Sequence, residues 1–111
     1  MSATFRVVLE TPEGPHTIQC GEYEFIWDAA ARAGIVLPAI CHQGQCLTCA
    51  AKLIEGQFDE SAAKAYFAED RAAGFMLPCT ARPRSDLVLL THQQWEMRHY
   101  RIEHGMPAPY A

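Results

Sequence analysis

Apolar and polar residues alternate from the start of the chain. Phe5, Val7 and Leu9 share one side of residues 4–10, "TPEGP" at 11–15 supplies turn chemistry, and the alternation resumes through Ile18. Two runs of period two around a turn predict a β-hairpin. Over 23–33, "YEFIWDAAARA", the period changes: Ile26, Ala29, Ala30 and Ala33 fall on one helical face, and Gly34 stands where a left-handed C-terminal cap belongs. From Ile35 to Cys49 no period survives, Pro38 bars a helix, and Gly44 can take the positive φ of a tight curl, which predicts a loop. "CAAKLIEG", 49–56, predicts a short strand containing Leu53. The alanine-rich stretch 61–73 predicts a helix with Ser61 as N-cap and Gly74 closing it. "GFMLPC" and "DLVLLT" predict two more strands. Thr91 and Gln94 have capping-box spacing for a last helix, with His104 in its final turn, Gly105 at its end and Pro107 beyond.

Composition bounds the class. With 111 residues, half of them apolar, the chain suffices for one small domain with its own core. No run reaches the roughly 18–20 apolar residues of a membrane-spanning helix, and the N-terminus enters the first strand pattern directly. A soluble protein without membrane insertion, signal or transit peptide is expected. The net charge is −4; residues 1–80 hold ten acids and five bases, residues 81–111 three and four. An acidic body with a near-neutral tail disfavours nucleic acid as a partner.

The chemistry concentrates in "ICHQGQCLTCA", residues 40–50, which holds three of the five cysteines. The spacing is Cys41-x4-Cys46-x2-Cys49-x29-Cys79. An odd count without a secretory pattern argues against a disulfide framework, and reduced thiols are available for metal. Four thiolates so placed can converge, and C-x4-C-x2-C…C is the spacing of the plant-type [2Fe-2S] site. Such a loop must aim backbone N–H groups at the sulfurs, and Gly44 and Ala50 are small enough to allow it. Two other chemistries use the same residues. A four-cysteine zinc site normally pairs two C-x2-C knuckles, whereas only Cys46 and Cys49 form one here. A thioredoxin-like redox pair at Cys46 and Cys49 would have to open a helix and would leave Cys41 and Cys79 unexplained.

Over roughly residues 3–97 the chain resembles the plant-type [2Fe-2S] ferredoxins of chloroplasts, cyanobacteria and other bacteria. "WDAAARAGIVLPAIC" looks like the family's helix and approach to the cluster loop, "CAAKLIEG" like the strand after the third ligand, and "GFMLPCTARPRSDLVLLTH" like the run around the fourth. The resemblance implies an α+β, β-grasp (ubiquitin-like) ferredoxin fold: a mixed four- to five-stranded sheet with one main helix and short additional helices. It implies Cys41, Cys46, Cys49 and Cys79 as ligands of one [2Fe-2S] cluster. It further implies a ferredoxin-type domain over 1–97 and a C-terminal extension over 98–111, beyond where such ferredoxins normally stop.

Several positions depart from the family pattern. Ile40 and Leu47 stand where serine is common, and His42 where arginine is. Losing two hydroxyl donors near the cluster should lower the reduction potential, to or below the roughly −400 mV of the class. Of the usual acidic cluster only Glu69 and Asp70 remain, and Gln94 replaces an acid, so the usual reductase-docking surface is expected to be weakened.

The expected function is a soluble one-electron carrier, not an enzyme, passing electrons from a low-potential donor to a reductase or oxygenase. It would act as a monomer in a bacterial or cyanobacterial cytoplasm, or in the stroma if it is a processed plastid protein. The alternative is a redox- or iron-sensing adaptor that binds one partner through its tail. Cys20 reads as a buried inert thiol and His42 as a surface residue near the cluster. Tyr66 and Phe67 suit cluster shielding or helix packing equally. Trp95, Met97 and Tyr100 suit either a packed stripe or an exposed anchor. His92, His99 and His104 with Arg98 and Arg101 read as a solvated positive face, and Glu55, Asp59, Glu60, Glu69 and Asp70 as surface charges.

Overall fold

The computed structural model describes residues 3–109. Strands β1 (Thr4–Thr11) and β2 (Gly14–Gly21) form the predicted hairpin, antiparallel from Thr4 opposite Gly21 to Thr11 opposite Gly14. The alternation buries Val7, Leu9, Ile18 and Cys20 on one face. Helix α1 (Ile26–Arg32) turns Ile26, Ala29 and Ala30 onto that face and ends through Ala33 at Gly34, whose φ of +87° is the expected left-handed close. Two amides of its first turn, which have no partner within the helix, bind across the core: Ile26 N–H donates to the Ala81 carbonyl at 3.0 Å and Trp27 N–H to the Pro78 carbonyl at 2.9 Å. The helix start is thereby tied to both flanks of Cys79.

After the long loop come β3 (Ala51–Glu55), β4 (Phe58–Asp59), α2 (Ala68–Ala72), β5 (Phe75–Met76), β6 (Arg82–Pro83), β7 (Leu87–Leu90) and α3 (Gln94–Glu103). The main sheet has the order β2-β1-β7-β3-β5, with β1 and β7 parallel and the other pairs antiparallel, while β4 and β6 pair separately. This mixed sheet covered by α1 is the β-grasp expected. One apolar core lies between sheet and α1; a second, of Leu47, Cys49, Ala50, Phe75, Leu77, Cys79 and Met97, lies beneath the cysteine loop. Burying Met97 there stabilises α3 on the body by about 1.5–3 kcal/mol.

Several expectations are corrected. The helix over 61–73 is only five residues long, Ala68–Ala72. Residues 64 and 65 spend their amides elsewhere: Lys64 N–H donates to the Gln43 carbonyl at 2.9 Å and Ala65 N–H to the Gly44 carbonyl at 3.0 Å. Ser61 does not cap a helix; its amide donates to Asp59 Oδ1 at 2.8 Å. The capping box at Thr91 and Gln94 does not form, because the Thr91 hydroxyl donates to the Glu10 carbonyl at 3.2 Å and Gln93 precedes α3 instead. No correction attaches to the expected division of a 1–97 domain from a 98–111 extension; its junction lies within α3 (Gln94–Glu103), which runs across it. Two of the five acids taken as surface charges are interior: Glu60 is 4% exposed and Asp70 fully buried. Arg98 and Arg101 are buried too, which removes both arginines from the positive face expected of the tail.

Candidate metal centre

The loop from Ile35 to Ala50 curls by means its sequence only partly discloses. Gly44 has φ +69°, as expected, but His42 (φ +54°) and Leu47 (φ +66°) are also left-handed. Such a backbone is costly for a side-chain-bearing residue and persists only where surroundings enforce it. Leu47 is held by its burial in the second core, and exposed His42 sets its ring edge-on to Trp27, centroids 4.6 Å apart. A Cβ on Gly44 would lie 2.5 Å from both Ala63 Cβ and Thr80 Oγ1, so only glycine fits between the loop and the segments behind it.

This curl turns backbone amides onto sulfur. Gln43 N–H donates to Cys41 Sγ at 3.4 Å and Thr48 N–H to Cys46 Sγ at 3.5 Å. The Gly44 amide helps hold the Cys79 thiol down. The thiols are arranged two by two. Cys49 Sγ donates to Cys79 Sγ at 3.0 Å, too far apart for a disulfide, and Cys41 bears on Cys46 closely enough to help lower its thiol. Among the described residues no three His, Cys, Asp or Glu side chains gather tightly enough to hold one metal ion.

Burial pushes the Cys46 thiol up, but hydrogen bonds from the Thr48 hydroxyl and from the Cys41 and Thr48 amides outweigh it and hold the group at about 7. Within the other pair the shared S–H pushes Cys49 up, reinforced by burial, and draws Cys79 down. Thiolates cradled by amides are what an electropositive iron centre asks of its donors, and sulfurs in two pairs suit two irons better than one tetrahedral zinc. The residues present therefore fit a [2Fe-2S] cluster.

The fifth cysteine, Cys20, lies in the main core away from the loop, and burial raises it to about 12. Tyr66 is half-buried and donates its hydroxyl to the Phe75 carbonyl at 2.5 Å, whereas Phe67 is partly exposed. Met97 is buried, Tyr100 leans on Phe75 with centroids 5.7 Å apart, and Trp95 is 53% exposed, so the expected stripe divides between packing and surface. Three neighbours escaped the sequence reading. Glu60 takes the Leu77 amide at 2.5 Å and the Thr80 hydroxyl at 2.8 Å, bracing the turn that carries Cys79. Arg98 reaches from α3 to donate to the Cys46 carbonyl and to Thr48 Oγ1, both at 2.9 Å. Thr48 links this arginine to the Cys46 sulfur, its hydroxyl accepting from Arg98 and its amide donating to Sγ at 3.5 Å. Fifty-two positions separate Arg98 from Cys46, and no local period signals the contact.

Comparison with known proteins follows the same line. Residues 10–84 match the model of the 2Fe-2S iron-sulfur cluster binding domain. Ferredoxin-2 of Synechococcus sp. is 35% identical over 105 residues, covering 95% of this chain and 98% of that protein. Among solved structures, Pectocin M2 superposes with a TM-score of 0.74 at 25% identity, over 92% of this chain and 40% of that chain. The Amycolatopsis cytochrome P450 reductase GcoB superposes with a TM-score of 0.70 at 32% identity, over 78% of this chain and 25% of that chain. The chain thus spans well under half the length of these two solved structures. Fold, paired thiols and these likenesses agree: the chain belongs to the 2Fe-2S iron-sulfur cluster binding domain family, as a ferredoxin, an electron-transfer protein rather than an enzyme.

Proposed function

We propose that Cys41, Cys46, Cys49 and Cys79 hold the [2Fe-2S] cluster, Cys41 with Cys46 on one iron and Cys49 with Cys79 on the other. The chain then carries single electrons from a low-potential donor to a reductase or oxygenase. The observation that carries this reading is the pairing of four thiols within a cradle of inward amides. When bound, the cluster supplies reversible one-electron chemistry. The protein's part is to hold it: the amides of Gln43, Gly44 and Thr48 offset thiolate charge, and buried Leu47 keeps water from the inner side. Val36 and Ile40, 77% and 56% exposed, leave an apolar rim on the loop and its approach where a redox partner can come close.

The match to Ferredoxin-2 supports an electron carrier; we take it to act as a monomer, with residues 98–111 extending a 1–97 ferredoxin-type domain. The likeness to a longer P450 reductase supports reductase or oxygenase partners. No helix among the described residues is long and apolar enough to cross a membrane, and the proposed site of action is a bacterial cytoplasm or the plastid stroma.

Changing Cys49→Ser should abolish or destabilise the cluster, because the ligand set is then incomplete. An unchanged visible spectrum would defeat the assignment. Reduction by a ferredoxin reductase followed by rapid transfer to cytochrome c is expected of the intact chain. A second reading, an adaptor, draws on Trp95 and Ile102, 53% and 56% exposed and one heptad apart on the outer side of α3. It predicts a stoichiometric complex lost in an Ile102→Ser variant whose electron transfer is intact.

A further inference from the structure

The C-terminal helix does more than cover the second core. Its N-terminus is moored beside the site, where Gln93 N–H donates to the Ala50 carbonyl at 2.9 Å, and this fixes the rotation of α3 so that Met97, Arg98 and Arg101 face inward. Arg98 is 3% exposed. Its Nη2 bridges two acceptors in the Cys46–Cys49 turn, the Cys46 carbonyl and Thr48 Oγ1, each at 2.9 Å. Its Nε donates to the Pro109 carbonyl at 2.8 Å, so the tail at Pro109 closes over the guanidinium, and Trp95 stacks at 5.0 Å on its outer side. Thr48, whose hydroxyl accepts from Arg98, donates its own amide to the Cys46 sulfur at 3.5 Å. A buried cation is therefore bonded both to the carbonyl of a proposed ligand and to the residue whose amide meets that ligand's sulfur.

We propose that Arg98 is a positioning residue that poises this cluster, holding the Cys46–Thr48 turn in shape and raising the reduction potential through the Arg98–Thr48–Cys46 relay. The inference rests on the ligand assignment proposed above. In the one-electron reduction an external donor gives one electron and one ferric iron becomes ferrous, so the site gains one negative charge and no bond is made or broken. A cation shielded from water favours that more negative state, and the effect is larger than at a solvated surface because the surrounding dielectric is low. By gripping the Cys46 carbonyl and the Thr48 hydroxyl the guanidinium also holds the Thr48 amide on the Cys46 sulfur, and an amide so aimed favours the more negative state. Both effects act in one direction, opposite to the loss of serine hydroxyls at Ile40 and Leu47. Within the fold the extension is thereby part of the redox site, with Pro109 securing Arg98 from behind.

Protein-film voltammetry of the cluster-loaded full chain tests this, with the electrode as electron donor. Arg98→Met keeps the aliphatic stem and removes the charge; its equilibrium constant for reduction should fall about tenfold, which for one electron is about 59 mV. Arg98→Lys restores the charge and should stay within threefold of the wild type. A methionine variant with an intact visible spectrum and a change under threefold overturns the proposal, as does a lysine variant that falls as far as the methionine. Arg98→Gln, neutral but still a donor, is read by the same threshold if the methionine chain sheds its cluster. Loss of the cluster from both neutral variants also counts against the proposal, because poise and not assembly is the role assigned. A wild-type chain without a [2Fe-2S] spectrum would instead sink the ligand assignment itself.

Discussion

Removing Arg101 should cost this fold more than any single surface change. Its side chain and that of Asp70 are fully buried, with Nε to Oδ1 at 3.1 Å and Nη2 to Oδ2 at 2.8 Å, a two-pronged contact. The same guanidinium donates to the Ala65 carbonyl at 2.7 Å and the Pro107 carbonyl at 3.0 Å, and lies 4.8 Å from the centre of the Phe67 ring. Arg101 thus joins α3, the start of α2, the segment behind the cysteine loop and the tail. In Arg101→Met the Asp70 carboxylate keeps the Phe67 amide, at 2.9 Å, but faces an apolar interior without its counter-charge. Breaking a buried pair from one side costs about 3–5 kcal/mol, a large part of the roughly 5–15 kcal/mol that holds a small domain together. At about 4 °C per kcal/mol for this chain length, the melting temperature should fall by about 12–20 °C. Thermal unfolding of the cluster-loaded protein, followed by far-ultraviolet circular dichroism and visible absorption together, reads this directly. Adding Asp70→Leu should recover most of the loss, since no charge is then orphaned. A cost below about 1 kcal/mol, the range of solvated pairs, would refute the reasoning, because it would mean that water reaches the pair and α3 is not docked.

Other outcomes follow from the site. Gly44→Ala puts a Cβ 2.5 Å from Ala63 Cβ and 2.7 Å from its Cα at a φ of +69°, so steric strain of about 2–5 kcal/mol should leave the chain under-loaded; iron per chain measures this, and full loading with unchanged melting would contradict it. Burial raises the Glu60 carboxyl to about 8 from 4.5, so between those values the folded chain keeps a proton that the unfolded chain has released. Its stabilising contribution is complete below the lower value and is lost as pH rises toward the upper one. Wild-type melting temperature should therefore decline from about pH 5 to pH 8 more steeply than that of Glu60→Gln, and parallel profiles would refute the shift.

Much of the architecture was written in local pattern. The alternation of Phe5, Val7, Leu9 and Ile18, the helical face of Ile26, Ala29 and Ala30, and glycines at 34, 74 and 105 with positive φ all act through neighbours in the chain, so the hairpin, α1 and the helix ends were legible. The two-residue strands β4 and β6 are too short to show a period. The 61–73 stretch has helical composition, yet residues 64 and 65 give their amides to the loop at 43 and 44, a tertiary demand that overrides propensity. Of the site, cysteine spacing and family resemblance proposed the four thiols, and the fold brings them near one another in pairs. The charged residues around them were misread because their partners are remote: Glu60 meets Leu77 and Thr80, Asp70 meets Arg101, and Arg98 meets Cys46. The missing hydroxyls at Ile40 and Leu47 argued for a potential at or below about −400 mV; Arg98 pulls the other way, which no local pattern reveals.

The central claim is that paired thiols hold two irons, and the protein purified without oxygen tests it most directly. Metal and sulfide analysis should give two irons and two acid-labile sulfides per chain, and electron paramagnetic resonance after dithionite reduction should show one unpaired electron shared by the two irons. A colourless protein that contains one zinc per chain and gives no signal on reduction would contradict the account.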